Sequence, residues 1–420
     1  MANLSEVVSA AVAEAAEPGG SGRLPEGFDA AASEAAAADL REYLSLVTRA
    51  LAALPAAGSR GMRACRLLTL AGPVLVYRRY VPGGGRPESL VFSGCKARAT
   101  RGARKAVSRC GATLGSMQEA SRTVEELLRF RISPSKVRKL TLLEGESLSA
   151  RPPSKPPAFD REPVIPAKCT RVRKTTVVSA DGICVPCSKA DTEGIPGREG
   201  TQAGSRELKL GMVADYEWLG EDGAPVIPAN KRQYIVSHKD SDTFGAELLK
   251  LARALGLGGS GRLQFMSDGA IWLAKLAGDA FKGAEFTVDF YHACGYLSTL
   301  CGELGEEDQP GLFRKVRRIM KYYSADAALR HLRRKYPSGF ADMSPEASQA
   351  CSYLEERRKN MEYGRLRKQG YLIGSGHIES GCKSIVGARC KQAGMHWRHR
   401  NAAYVSAIRA AIRSNNFIEA

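Results

Sequence analysis

Between residues 175 and 292 the hydrophobic period switches in a fixed order, and that order limits the fold more than any other feature of the chain. TTVVSADG reads as a strand ending at Asp181, and ELKLGMVADYEWL and RQYIVSHKD read as two more. Thr243 to Leu255 has the period of an amphipathic helix. RLQFMSD then reads as a fourth strand ending at Asp268, Gly269 to Phe281 as a helix, and AEFTVDFYH as a fifth strand. Three strands in succession followed by alternation with helices predict the α/β class with a mixed sheet, in the order βββαβαβ.

From Ala293 to Gly370 no strand pattern occurs, and the segment is helical and very basic, with Arg314, Lys315, Arg317, Arg318, Lys321, Arg333, Arg334 and Lys335. It reads as an all-helical insertion. After it, Gly374-Ser375-Gly376 precedes a helix carrying Glu379, and a last helix is predicted from about Asn401 to Arg413. This sequence of elements is that of an RNase H-like core. The expected organisation is a first part of the core over 169–292, the insertion over 293–370 and C-terminal core helices over 371–420.

The N-terminal part has a different character. Residues 1–59 are Ala-rich, with a Gly-Gly-Ser-Gly break at Gly19 to Gly22 and a helix expected over Ala30 to Leu54, and they read as a peripheral segment. LLTLAGPVLVYRRY, Leu67 to Tyr80, predicts a hairpin around its Gly-Pro break. A basic stretch follows, containing Lys96, Arg98, Arg101, Arg104, Lys105 and Arg109. Ser116 with Glu119 forms a capping box, and Ser133 followed by Pro134 marks a second helix start, so a helix-turn-helix is feasible across the short Arg131-Ile132 connection. Residues 60–147 are therefore expected to be a small basic DNA-binding region. Residues 148–168, with prolines at 152, 153, 156, 157, 163 and 166, read as a semi-rigid linker.

The formal net charge is +18, and the first 59 residues are acidic on balance, so the excess lies in the remainder. A polyanionic partner suits that charge, because each phosphate neutralised by Lys or Arg releases condensed counterions. Nucleic acid is the first candidate. An acidic membrane is disfavoured by the lack of any apolar run of about 18 residues, and the N-terminus lacks a basic stretch followed by an apolar one. The 11 cysteines are scattered without a framework, which predicts free thiols in a reducing, intracellular compartment.

If the first and fourth strands lie side by side, Asp181 and Asp268 emerge at one edge of the sheet, within reach of Glu379. Converging carboxylates repel and raise one another's pKa, which makes them poor structural choices and a good hard-cation site. Two Mg²⁺ ions, with Mn²⁺ as a substitute, suit such a site and phosphodiester chemistry. The motifs VSADG (178–182), SDGAIWL (267–273), DFYHA (289–293), GSGHIESGCK (374–383) and RCKQAGMHW (389–397), in that order, resemble DDE transposases of bacterial insertion sequences. The similarity points to the ISKra type, allied to the Mutator-like superfamily, over about residues 67–413. The resemblance implies that Asp181, Asp268 and Glu379 are the metal-binding catalytic triad and that Asp289 and His292 are the family's D-x-x-H element, with His292 near the scissile phosphate. It also implies double-stranded DNA partners (terminal inverted repeats and target DNA), a homo-oligomer on DNA and a bacterial cytoplasmic, nucleoid-associated location. Relatives often carry paired cysteines near the hairpin; here Cys65, Cys95 and Cys110 stand alone, which disfavours a zinc module.

The expected DNA contacts are Lys96, Arg98, Arg101, Arg104, Lys105, Lys136, Arg138 and Lys139 in the N-terminal region. Arg314, Arg317 and Arg318 in the insertion, and Lys383, Arg389, Lys391, Trp397 and Arg398 near the C-terminus, complete the set. Several of these residues have blander readings. Trp397 could stack on an unpaired base or pack near Glu379. Asp289 is the rival to Asp268. Cys184-x-x-Cys187, His396 and His399 read as packing residues, and GLGGSG (256–261) as a connector between helix and strand, the reverse of a phosphate-binding turn. Two other functions remain open on sequence: a DNA-binding regulator derived from a transposase, and a metal-dependent nuclease without strand transfer.

Overall fold

In a computed structural model the described residues are 6–7, 9–10, 28–53, 62–79, 96–156, 160–197, 203–257, 261–304 and 308–417. The break at Gly19 to Gly22, Cys95 and the middle of the GLGGSG connector lie outside them. The chain divides into two compact units, Met1–Glu146 and Ser147–Ala420. The division falls just before the proline-rich segment.

In the first unit, α1 (Phe28–Ala53) lies on a hairpin of β1 (Met62–Thr69) and β2 (Gly72–Arg79). The hairpin turns at Leu70-Ala71, two residues before the expected Gly-Pro break, and Gly72 takes up φ +99° directly after it. Leu67, Val74 and Val76 are buried together with Leu44 of α1 packed against them. Thr48 accepts a hydrogen bond from the Tyr77 amide at 3.2 Å, and Arg41 donates to the Ala71 carbonyl. The Ala-rich helix is thus part of the packed unit, in contrast to the peripheral segment expected. Leu44 and Thr48 stand one turn apart on the helix face that meets the hairpin.

Three helices follow: α2 (Arg101–Thr113), α3 (Met117–Leu128) and α4 (Pro134–Ser149). Ser116 caps α3 by accepting from the Glu119 amide at 3.0 Å, while Glu119 accepts from the Gly115 amide at 2.9 Å. Ser133 caps α4 through the Lys136 amide at 3.2 Å. Ala103, Val107, Ala120, Val124, Val137 and Leu140 form the shared core with Leu68 of the hairpin.

The second unit is of α/β class, built on a five-stranded mixed sheet of β3 (Thr170–Pro186), β4 (Ser205–Leu219), β5 (Gln233–Ser237), β6 (Arg262–Ser267) and β7 (Glu285–Val288). The spatial order is β5-β4-β3-β6-β7; β3–β4 and β4–β5 pair antiparallel, β3–β6 and β6–β7 parallel. Both parallel connections carry a helix, α5 (Ser241–Ala254) and α6 (Ile271–Ala280), as parallel crossovers require. Strand period decides which residues face which layer. Val178, Ala180, Val213 and Phe265 pack on α5 and α6, whereas Val177, Leu210, Met212 and Met266 pack on the C-terminal helices.

Two strand ends differ from expectation. β3 runs past Asp181 to Pro186, because β4 continues to pair with it there after β6 has ended. β7 stops at Val288, so Asp289 lies beyond the strand at the start of α7 (Phe290–Leu304). The insertion continues as α8 (Gln309–Tyr322), α9 (Ala325–Lys335), α10 (Pro345–Glu356) and α11 (Tyr363–Lys368), with no strand among its described residues and a hydrophobic cluster that also takes in Val288 of β7. The chain returns to the sheet as α12 (Gly376–Gly381), which passes directly into a π-helical stretch, Cys382–Gly387, and a last helix, α13 (His399–Arg413).

Candidate active site at the ends of β3 and β6

The last residues paired between β3 and β6 are Ser179 and Met266. Asp181 and Asp268 each stand two residues further along their parallel strands, so the register brings them level. By the two-residue period both belong to the face of Val177 and Met266, the face that the C-terminal helices cover. The Asp181 carboxylate accepts from the Gly182 amide at 2.7 Å and from the Cys382 thiol at 3.4 Å. Burial holds it above the usual aspartate range; the thiol hydrogen bond opposes that rise, and the charges of Asp268 and Glu379 add to it. Those two charges therefore act on Asp181 across the end of the sheet.

Asp268 starts the loop into α6. One of its oxygens accepts from the Ala270 amide at 2.9 Å, and Gly269 turns the chain with φ +84°. A side chain at Gly269 would be strained at that angle, and its Cβ would lie 2.8 Å from the Tyr353 hydroxyl. Glu379 lies in α12, half exposed, with a carboxylate oxygen 3.6 Å from Lys383 one turn on. The turn before α12 is tied down by Asp289. This carboxylate is 1% exposed and accepts from the Ser375 amide and the His292 amide, each at 2.6 Å. Asp289 thus joins the start of α7 to the start of the helix that bears Glu379. Its pKa is raised by burial, against the lowering effect of those two N–H donors. The backbone at Gly374 passes close beside it, where a Cβ would lie 2.8 Å from the exposed Tyr291 ring and displace it.

The π-helical stretch beside Asp181 leaves carbonyl groups out of the usual ladder. Arg409 of α13 donates to the Ile385 carbonyl at 2.9 Å and to that of Ser384, which anchors the stretch carrying Cys382. His292 is exposed in the first turn of α7, with its ring edge-on to Tyr296 at 5.7 Å. Neither Cys382, Tyr353 nor Arg357 was legible as a site residue; each acts on a residue far away in the chain, and only Cys382 shares a helical face with Glu379.

The carboxylates of Asp181, Asp268 and Glu379 are hard oxygen donors, one of them desolvated among like charges, and this donor chemistry fits a divalent cation of the Mg²⁺ class. As the side chains stand, no three His, Cys, Asp or Glu side chains among the described residues close into a ligand group.

Several expected DNA contacts lie elsewhere. Arg104 is 4% exposed and ion-paired with Glu144, itself fully buried, so it belongs to the helical core of the first unit. Arg389 is 2% exposed and lies over the Trp397 ring, and the Trp397 backbone bridges to the end of β3; both are packing residues. The physical reason is the same for both arginines: a partner inside the fold, Glu144 or the indole face, compensates the buried charge. Lys136 is half-buried and donates to the Ala97 carbonyl at 2.6 Å. Lys96, Arg98, Arg101, Arg138, Lys139, Arg314, Arg317, Arg318, Lys383, Lys391 and Arg398 are exposed, and Lys105 is half-buried. Arg317 also lies over the Phe290 ring, and Arg398 is 3.6 Å from Asp191. Cys187 and His399 are buried as expected, the His399 ring 2.9 Å from the Glu207 carbonyl, whereas Cys184 and His396 are exposed. Cys65 and Cys110 are free thiols.

No helix among the described residues is long and apolar enough to cross a membrane. In comparisons with known proteins, no protein-family model and no curated protein matches this chain.

Proposed function

We propose that this chain is a DNA transposase of the DDE type with an RNase H-like catalytic core, which cleaves the ends of a mobile element and joins them to target DNA. The observation that carries this reading is the register of β3 and β6. It sets Asp181 and Asp268 level on one face at the same end of the sheet, where the charge of Glu379 also bears on Asp181. The strand order β5-β4-β3-β6-β7, with three antiparallel strands and two parallel crossovers, supports the core assignment. Asp181, Asp268 and Glu379 would hold Mg²⁺ or Mn²⁺. Bound there, the cation would offset the charge on the attacking and leaving oxygens of an in-line phosphodiester displacement.

The chain's own residues divide the remaining work. Gly182 and Cys382 orient the Asp181 carboxylate, the Asp268-Gly269 turn presents the second acid, and Asp289 fixes the start of α12 and hence the third. His292 stands exposed at the head of α7, next to the Asp289 anchor, where it can meet the scissile phosphate. α8 contributes Arg314, Lys315, Arg318 and Lys321 with no carboxylate in the same helix, which suits contact with a DNA backbone. In the reaction, water hydrolyses one strand at the element's end, and the 3′ hydroxyl so released attacks a phosphodiester of the target. A pair of ends must be held together for this, so the active form is an oligomer on DNA.

The test is strand transfer of labelled element ends in Mg²⁺ or Mn²⁺, with binding followed by gel shift. Asp181→Asn, Asp268→Asn and Glu379→Gln should each lower cleavage and joining at least about 100-fold while leaving DNA binding intact. Full activity in any one variant removes that residue from the site. Cleavage without joined product would identify a nuclease, and binding without cleavage a regulator.

A further inference from the structure

The insertion reaches the Asp268 turn through two residues one helical turn apart. The Tyr353 hydroxyl, near the end of α10, donates to the Asp268 carbonyl, and Arg357, at the helix's C-terminal cap, donates from Nε to the Gly269 carbonyl at 2.8 Å. Both side chains are themselves held. Tyr353 is buried and stacks on Tyr296 of α7, ring centroids 3.8 Å apart and 16° from parallel. The Arg357 guanidinium lies 4.3 Å from the Tyr353 ring centroid and contacts Glu356 at 3.0 Å. The approach is close: a Cβ on Gly269 would lie 3.1 Å from Arg357 Cδ as well as against the Tyr353 hydroxyl.

We infer that Tyr353 and Arg357 are positioning residues for Asp268, through which the helical insertion holds the second acid of the site in place; the inference rests on the proposed role of Asp268. The two hydrogen bonds fix successive peptide planes of the turn. The first of those planes flanks the Asp268 Cα, and the plane on its other side is held where the Ser267 carbonyl accepts from the Asp289 amide at 2.8 Å, so the direction in which the Asp268 side chain leaves the backbone is fixed, and the Ala270 amide sets its rotation. The two donors come from a different part of the chain, in a hydrophobic cluster that meets the sheet at Val288 of β7, so the turn is gripped from outside the strands. An unsupported Asp-Gly turn would sample other conformations, since glycine at φ +84° costs little to rotate. Ligand-orienting partners of this kind are typically worth about 10- to 100-fold in metal affinity or activity.

The experiment uses the full chain in four forms: wild type, Asp268→Asn, Tyr353→Phe and Arg357→Met. Phenylalanine keeps the stack on Tyr296 and removes only the hydroxyl; methionine keeps much of the apolar stem. Thermal unfolding in metal-free buffer checks the fold, Mn²⁺ titration calorimetry without DNA reads the site, and hydrogen exchange of the 267–271 peptide reads the turn. Tyr353→Phe and Arg357→Met should bind Mn²⁺ about tenfold more weakly than wild type. They should exchange faster at 268–270 and be unchanged in β6 and α7. Should Tyr353→Phe melt early, Arg357→Met carries the same comparison. Wild-type Mn²⁺ affinity and exchange in both variants would overturn the inference, as would faster exchange spread evenly over the insertion core, which marks a packing role alone. If wild type binds Mn²⁺ no better than Asp268→Asn, the metal-site reading itself fails and the inference with it, a result distinguishable because it involves neither positioning variant.

Discussion

The ends of β6 and β7 are neighbours in the same parallel pair, and each is followed at once by an aspartate, yet the two acids are used differently. Asp289, after β7, is buried, and both its oxygens are taken by backbone amides at 2.6 Å. Asp268, after β6, is half-buried, and one oxygen accepts from Ala270 while the other accepts nothing among the described residues. A carboxylate whose oxygens are saturated by N–H groups is a bracket for the backbone; one left partly unsatisfied keeps lone pairs that a cation could take. The difference arises one layer away. Glycine 374 and Ser375 return to β7 and close over Asp289, whereas the insertion grips the Asp268 turn by its carbonyls and leaves the side chain open.

Substitution of these two acids should separate the roles. Asp289→Ala strands two buried amide donors and should cost about 3 kcal/mol of stability in metal-free chemical denaturation. Asp268→Ala should leave that stability nearly unchanged, because a half-buried acid among like charges loses little by its removal. Strand transfer should behave in the opposite sense, with Asp268→Asn the more damaging at equal folded fraction. A stable, inactive Asp289→Asn beside an unstable, active Asp268→Asn would exchange the two assignments.

A contrast between buried and exposed charge runs through the cations. Arg104→Met should destabilise the first unit by about 3 kcal/mol, since it leaves the fully buried Glu144 carboxylate without its ion-pair partner. Arg101→Met, one turn from it on an exposed position, should leave stability within about 0.5 kcal/mol. If Arg104→Met instead kept its stability and lost DNA affinity, the arginine would be a phosphate contact after all.

The smallest effect concerns His238 and His399, whose rings meet edge-on at 5.8 Å. Burial lowers both pKa values, with Lys239 and Arg400 adding to the effect at His238 and Arg206 at His399. An unfolded histidine takes up its proton near pH 6.5, before the folded one does. Stability from this pair is therefore complete above about pH 6.5 and declines as the pH falls toward the folded values. His399→Gln should flatten that part of the melting-temperature profile; an unchanged slope would show that the pair does not contribute to it.

The order of strands and helices and the helix bearing Glu379 were legible in the sequence, because each depends on local hydrophobic period, turn residues and caps that neighbouring residues encode, whereas the level of Asp181 with Asp268 was conditional there and required the long-range pairing of β3 with β6. Even the helix starts at Ser116 and Ser133 follow from side chains reaching amides three residues away. What the tertiary structure alone decided is which polar groups are saturated. Arg101 and Arg104 look alike in the sequence, and only the arrival of Glu144, 40 residues on, makes one of them a core residue. Asp268 and Asp289 both follow short apolar strands, and the amide of Ser375, 86 residues after Asp289, sets them apart. Tyr353 and Arg357 sit in an insertion with no visible motif and act on carbonyls 85 and 88 residues earlier. Hydrophobic period specifies the face a residue occupies, but the cost of burying a charge or leaving a hydrogen bond unmade depends on a partner, and that partner comes into range only when the chain has packed.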